Sequence, residues 1–152
     1  MQVAEVIDRA LEAARPLRLA DMVGAAAPYL VARLREQHRG PLLVVCASST
    51  RARALAAALE TYRIGGDVGV FPRYDTPAYD RFSPHPEVEA RRMSRLYALL
   101  AAGPDTPLTL VAPVSALLRR VTPRAELRGR VTHLERGMSV DRDALMDVLV
   151  SA

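Results

Sequence analysis

The chain contains no lysine, because all 21 of its basic residues are arginine. In an ordinary phosphate-binding loop a lysine contacts the β- and γ-phosphates, and in Schiff-base enzymes a lysine attacks the substrate carbonyl. The sequence therefore excludes both kinds of site. A GC-rich genome is the simplest source of the arginine bias, and the chemical exclusion holds whatever the source is.

The chain has one cysteine, Cys46, which rules out an internal disulfide and fits a reducing cytoplasm. No run approaches the roughly 18 apolar residues of a membrane span. Glu5 and Asp8 near the N-terminus do not fit a signal peptide. We therefore expect a cytoplasmic chain without membrane contact. Its net charge of +4 is compatible with nucleic-acid binding, although many ordinary domains share such a charge.

Strand-like and helix-like segments alternate along most of the 152 residues. Apolar runs predict strands at residues 17–23, 41–47, 68–71 and 108–112. Helical spacing predicts helices at residues 3–14, 29–38, 51–63, 87–100 and 113–121. The run 41–47 has no polar alternation, which indicates a strand buried on both faces. This order predicts an α/β fold, with a parallel sheet flanked by helices and joined by right-handed crossovers.

The pattern changes after Pro123. Residues 128–135 alternate polar and apolar side chains like a half-exposed strand, and residues 142–150 form a helical pattern that Ser139 or Asp141 can cap. A strand and a helix of about 25 residues cannot bury a core alone. We therefore expect residues 1–123 to form one domain and residues 124–152 to be the beginning of a second, truncated α+β subdomain.

A long loop that contains aromatic residues and prolines separates the predicted strand 68–71 from the helix that starts near Glu87. Its three prolines restrict the backbone, so we expect one fixed shape. A loop at the end of a strand is where an α/β domain commonly holds its ligand-facing groups. The alternative is that the aromatic side chains of the loop cover the edge of the core, namely Tyr74, Tyr79 and Phe82.

Residues 17–38 have the layout of a phosphate-binding loop, with a predicted strand, a glycine-containing turn at Gly24 and a helix. The residues themselves contradict that function. Ala27 and Pro28 stand where a lysine and a hydroxyl residue are needed, and proline removes a backbone N–H that would face phosphate. We therefore predict a degenerate phosphate loop and no bound cofactor.

The other candidates for catalytic chemistry have simpler structural explanations. Cys46 lies in an apolar run, where a lone cysteine is usually part of the core. The three histidines lack metal-ligand spacing, so no metal site is expected. Ser48 and Ser49 fit helix caps better than a hydrolase nucleophile. Asp75 and Asp80 are as well placed to cap turns as to transfer protons.

Arginines near the central loop could contact phosphates, or they could simply form solvated helix faces. The candidate contacts for a partner or for nucleic acid are Tyr74, Tyr79, Arg81, Phe82, His85, Arg91, Arg92, Arg128 and Arg130.

Residues 71–87 read FPRYDTPAYDRFSPHPE. This segment resembles the signature of the N-terminal region of the bacterial transcription-repair coupling factors, the Mfd family. The family pattern has an aromatic residue, an acid, Thr-Leu-Pro-Tyr-Asp and a Ser-Pro pair before a helix. The chain departs from it at Pro77 and Ala78. Residues 110–120 are similar to the strand and helix that follow in the family, and residues 137–145 to the start of its second subdomain.

The resemblance implies a UvrB-like module, in which an inserted subdomain interrupts a RecA-like domain whose phosphate loop is degenerate. The full-length family protein is an ATP-driven DNA translocase that displaces stalled RNA polymerase and recruits UvrA. Its motor and polymerase-binding domains lie outside these residues, and UvrA docks mainly on the inserted subdomain. The resemblance therefore transfers no catalytic residue, and the DNA-clamping hairpin of UvrB has no room between Pro86 and the following helix.

We therefore expect a non-catalytic module that acts as a scaffold for UvrA recruitment and for regulation of the motor. Two alternatives remain open from the residues themselves. One is a DNA-binding module that uses the arginine faces, and the other is a nucleotide-binding domain with an unusual phosphate loop.

Overall fold

The computed structural model describes residues 3–13, 15–77, 81–129 and 131–151. The chain divides into two compact units, residues 1–119 and residues 120–152. The first unit is α/β. Its elements, in chain order, are α1 (Val3–Glu12), α2 (Ala26–Gln37), β1 (Leu42–Cys46), α3 (Ser49–Thr61), β2 (Asp67–Val70), α4 (Pro86–Ala101), β3 (Leu108–Pro113) and α5 (Val114–Leu117).

The three strands form a parallel sheet in the order β1-β3-β2. In its register Leu43 of β1 lies opposite Leu110, and Val68 of β2 lies opposite Thr109. All six residues of the central strand β3 are buried. The predicted parallel α/β sheet flanked by helices is confirmed, as is the buried strand at residues 108–112.

Helices cover the sheet on both faces. Successive strand residues point to opposite sides, so Val111 and its neighbours Leu110 and Ala112 belong to different layers of the core. Val111 packs with the apolar side of α3 and with Ala32 of α2. Leu110 and Ala112 pack with Phe71 and with leucines of α4. The two helices that follow β1 and β2 therefore lie on opposite faces of the sheet.

The expectation that residues 41–47 are buried on both faces is wrong. Leu43 is 53% exposed and Val45 is 51% exposed, whereas Val44 and Cys46 pack into the core beneath α3. The cause is the position of β1 at an edge of the sheet, where α4 covers the other two strands. An apolar run does not reveal strand order, so the sequence pattern could not separate an edge strand from a central one.

The predicted strand at residues 17–23 is also wrong, because these residues form neither strand nor helix. Asp21 has a φ of 57°, in the left-handed region, which breaks an extended backbone. Val23 is largely exposed and does not join the sheet. The expected fourth strand is therefore missing from the described part of this unit.

The helix starts follow the predicted capping residues. Ser48 caps α3 through its Oγ, which accepts a hydrogen bond from the Arg51 amide at 3.3 Å. Pro86 occupies the first turn of α4, where the absence of an N–H costs nothing. Glu87 and Arg91, four residues apart on α4, form an ion pair with an N–O distance of 2.5 Å.

The second unit contains two helices, α6 (Arg124–Gly129) and α7 (Arg142–Ser151). The predicted strand at residues 128–135 is wrong, because α6 includes its first residues and residues 131–135 form no regular structure. The Leu127 amide closes the first turn of α6 on the Pro123 carbonyl at 2.9 Å. Asp141 caps α7 as predicted, since its Oδ1 accepts from the amides of Asp143 and Ala144.

Candidate site at the carboxyl edge of the sheet

The loop that follows β2 is built around one buried arginine. Arg92 of α4 is 2% exposed, and its guanidinium carbon lies 4.1 Å from the centre of the Phe71 ring and 4.1 Å from that of Tyr74. Its Nη1 donates to the Pro72 carbonyl at 2.5 Å and to the Ala116 carbonyl at 3.5 Å. One planar cation therefore joins the loop, α4 and α5.

A second arginine extends this anchor. Arg119 lies with its guanidinium carbon 4.8 Å from the Tyr74 ring centre, and its Nη2 donates to the Thr76 carbonyl at 2.7 Å. Further along, both carboxylate oxygens of Asp75 accept from the His85 amide, at 3.2 and 3.3 Å. The described parts of the loop on either side of residues 78–80 are therefore joined directly, and the single fixed shape of the loop stays a prediction.

Burial lowers the pKa of the Arg92 guanidinium, and the Tyr74 hydroxyl partly offsets that effect, while the charge of Arg119 adds to it. An arginine pKa lies far above neutrality, so Arg92 keeps its charge under all ordinary conditions. A buried cation that donates to backbone carbonyls and stacks on aromatic faces is a structural element. Arg92 is therefore engaged within the fold and has little surface left for a partner.

Beside this anchor, the carboxyl edge of the sheet opens into a cleft of about 600 Å³. Residues that follow β1 and β2 form two of its walls, and Pro113 at the end of β3 lies between them. Crevices at the carboxyl ends of parallel strands are the usual ligand sites of open α/β sheets. The polar residues that line the cleft are Ser49, Thr50, Arg53, Arg73, Asp75 and Arg91.

The predicted contact residues have different environments. Tyr74 is half-buried under the two arginines, whereas Arg81, His85 and Arg91 are exposed and Phe82 is 76% exposed. The His85 ring caps α4, because its Nδ1 accepts from the Glu87 amide at 3.3 Å. The structure brings Tyr74 and Arg92 together. Whether any of these residues contacts a partner stays a prediction.

Two of the predicted residues, Tyr79 and Arg130, lie outside the described residues. Arg128 is exposed on α6 in the second unit. Sequence reasoning missed Arg53 and Arg73 of the cleft. The sequence did offer one signal for Arg73, because it lies two residues after the predicted strand 68–71 and next to Pro72.

The predicted degenerate phosphate loop lies at the start of α2. Gly24 has a φ of 61°, and Ala25, the N-cap residue, makes no side-chain capping bond. Ala27 and Pro28 lie in the first turn of the helix, and Pro28 has no amide hydrogen to offer. No strand precedes this turn among the described residues. A degenerate phosphate loop at this turn stays a prediction.

Cys46 behaves as expected for a core residue. Its side chain is half-buried against the cluster beneath α3. Burial raises the pKa of the thiol, and the positive charge of Arg51 opposes that effect. The reactive thiolate is therefore disfavoured at neutral pH. Among the described residues no group of three or more His, Cys, Asp or Glu side chains could hold a metal ion. No helix in that part of the chain is long and apolar enough to cross a membrane.

The first unit is therefore an α/β domain with a parallel sheet, an internally anchored loop and an arginine-lined cleft. No protein-family model matches the chain. It is 32% identical to the transcription-repair-coupling factor of Escherichia coli K12 over 134 residues, which are 88% of the chain and 11% of the relative. It is 35% identical to that of Myxococcus xanthus over 151 residues, 97% of the chain and 12% of the relative.

The transcription-repair-coupling factor of Haemophilus influenzae is 29% identical over 119 residues, 78% of the chain and 10% of the relative. These matches confirm the predicted resemblance: the chain is homologous to a segment of the transcription-repair-coupling factors. It spans only about a tenth of the length of these curated relatives.

Proposed function

We propose that this chain is the N-terminal, UvrB-like module of a transcription-repair coupling factor, and that it acts as a non-catalytic scaffold for UvrA recruitment. The observation that carries the proposal is the match of 78–97% of the chain to proteins of that name. In this proposal the first unit is a RecA-like domain, and the second unit is the start of the inserted subdomain. The motor and polymerase-binding parts lie elsewhere in the longer protein.

The start of α2 supports the non-catalytic part of the proposal. A phosphate loop works through a run of backbone N–H groups, a lysine and a hydroxyl that binds magnesium. Pro28 lacks the N–H, Ala27 lacks a side-chain ligand, and the whole sequence lacks lysine. The test is ATP hydrolysis by the purified chain, with thermal stabilisation by magnesium ATP as a second readout. Hydrolysis above background would contradict a non-catalytic role, whereas a rise in melting temperature without hydrolysis would show nucleotide binding alone.

The loop anchored by Arg92 supports the scaffold part. A scaffold must present its surface without an ordering cost on binding, because ordering a loop subtracts from affinity. Arg92, Arg119 and Asp75 hold the loop through backbone acceptors and donors. Exposed side chains of the loop, such as Phe82, are then held in place for a partner to bind.

Calorimetric titration with purified UvrA tests recruitment directly. The 152-residue chain is compared with a longer piece of the same protein that extends past Ala152. If the docking surface lies mainly in the second subdomain, the longer piece binds and the shorter one binds weakly or not at all. Binding by the short chain would instead direct mutagenesis to Arg128 and Arg136. Failure of both pieces to bind would contradict the recruitment role.

DNA binding is the second candidate function. The cleft favours it, because Arg53 and Arg73 face it without an acidic partner among the described residues. This function predicts an affinity that falls steeply with salt, since bound phosphates release their counterions. A flat salt response would exclude it.

A further inference from the structure

Three arginines line the cleft at the carboxyl edge of the sheet, and only one of them is paired. Arg91 forms an ion pair with Glu87 at 2.5 Å. Arg53 on α3 and Arg73 after β2 have no ion-pair partner among the described residues. Two arginines from different elements therefore line one cleft without an ion pair among the described residues.

Among the described residues, the only carboxylate in the cleft lining is that of Asp75, which is one negative charge against two unpaired arginines. Both of its oxygens accept from the His85 amide, which fixes it toward the loop. The cleft thus carries an excess of positive charge. Guanidinium groups offer planar pairs of donors that match the oxygens of a phosphate.

The other residues that line the cleft suit a small ligand that has an apolar part. Val70, Pro72, Val88 and Pro113 provide apolar surface, and the hydroxyl residues Ser49 and Thr50 line the side formed by α3. A volume of about 600 Å³ is within the range of small-ligand sites. The position also fits, because α3 and α4 leave β1 and β2 toward opposite faces of the sheet and open a crevice between them.

We propose that this cleft is a phosphate-binding site, with Arg53 and Arg73 as its ligand-contacting cations. The phosphate is carried either by a free nucleotide-like molecule or by the backbone of a nucleic acid. The site is separate from the degenerate loop at the start of α2, and it does not depend on the proposed role in UvrA recruitment.

Nuclear magnetic resonance titration of the full 152-residue chain tests the proposal. The two probes are inorganic pyrophosphate and a short oligothymidylate. We expect amide shifts centred on Ser49, Thr50, Arg53 and Arg73. Saturable shifts with pyrophosphate indicate a free phosphate ligand, whereas shifts at the same amides with the oligonucleotide alone indicate backbone phosphate. The absence of cleft shifts with both probes would overturn the proposal.

Matched variants separate a site from general charge attraction. Arg53→Gln and Arg73→Gln each remove one cleft cation, and we expect affinity to fall roughly tenfold for each, the effect of one charged hydrogen bond. Arg39→Gln removes the same charge at the opposite end of β1, where Arg39 is exposed and has no ion pair among the described residues. It should bind like the parent chain. An equal loss in all three variants would overturn the proposal. These arginines are exposed, so we expect the variants to fold like the parent chain. Preserved amide spectra verify that they do.

Discussion

The guanidinium carbon of Arg92, on α4, lies 4.1 Å from the centre of the ring of Tyr74, which belongs to the loop after β2. This contact holds the Tyr74 part of the loop against α4. The neighbouring residue Arg91 faces solvent and pairs with Glu87. Two adjacent arginines of one helix therefore have entirely different roles.

Replacement of Arg92 by alanine should destabilise the first unit by about 3 kcal/mol. The Pro72 carbonyl loses a charged donor, the two rings lose a cation, and a cavity is left. Arg92→Lys should recover only part of the loss, because an ammonium cannot stack and donate in the same plane. Urea denaturation followed by circular dichroism measures the change.

Arg91→Ala is the matched control for Arg92→Ala. It removes an exposed ion pair, and such pairs contribute about 0.5 kcal/mol or less. If both substitutions have similar effects on the free energy of unfolding, Arg92 is not the anchor of the loop.

Gly66 and Gly65 make a second matched pair. Gly66 has a φ of 92°, and a Cβ on it would lie 1.7 Å from the Pro107 carbonyl oxygen, a backbone atom that cannot yield cheaply. Gly65 has open space around it. Gly66→Ala should therefore lower the free energy of unfolding by more than about 1 kcal/mol. Gly65→Ala should be neutral or stabilise by about 0.5 kcal/mol, since it restricts the unfolded chain. Thermal melting of both variants measures these changes. A Gly66→Ala chain that is as stable as the parent chain would contradict a strained turn at Gly66.

The Cys46 thiol should react slowly with iodoacetamide at neutral pH. Its pKa is raised by burial, so less thiolate forms than in an unfolded peptide. Unfolding in urea should accelerate the reaction. Arg51→Gln removes a charge that lowers the thiol pKa, so the folded variant should react more slowly still. A rate unchanged by unfolding would contradict the buried position of the thiol.

The same shift predicts a pH dependence of stability. A raised pKa means that the folded state keeps its proton longer than the unfolded state. The associated stability is complete below the unfolded pKa of about 8.5 and is lost as the pH rises through the folded value. The free energy of unfolding should therefore fall more steeply with alkaline pH in the parent chain than in Cys46→Ala.

The order of the elements could be predicted wherever local signals agree. Between residues 41 and 112, apolar runs, the Ser48 cap and the proline before α4 all indicate the observed strands and helices. Residues 17–23 have the composition of a strand, but the left-handed backbone at Asp21 prevents one.

The arginine cleft could not be predicted because it depends on strand order. Arg53 and Arg73 are 20 positions apart, and they line one cleft because α3 and the loop after β2 both begin at the carboxyl edge of the same parallel sheet. The sequence analysis likewise grouped Arg91 with Arg92. Adjacent residues of a helix point in different directions, so one side chain can be buried while the next is exposed. The absence of a phosphate-loop lysine was easier to predict, since it depends on residue types alone.

Thr109, the second residue of β3, is fully buried, and its Oγ1 has no hydrogen-bond partner among the described residues. A buried hydroxyl without a partner costs about 1–3 kcal/mol of desolvation free energy. Valine has nearly the same shape, so Thr109→Val should raise the free energy of unfolding by about 1 kcal/mol. Thr106→Val is the control, because the Thr106 Oγ1 accepts from the Gly103 amide at 2.8 Å and its loss should destabilise. Chemical denaturation of both variants tests the pair. A destabilised Thr109→Val chain would mean that the hydroxyl has a hydrogen-bond partner, such as a buried water.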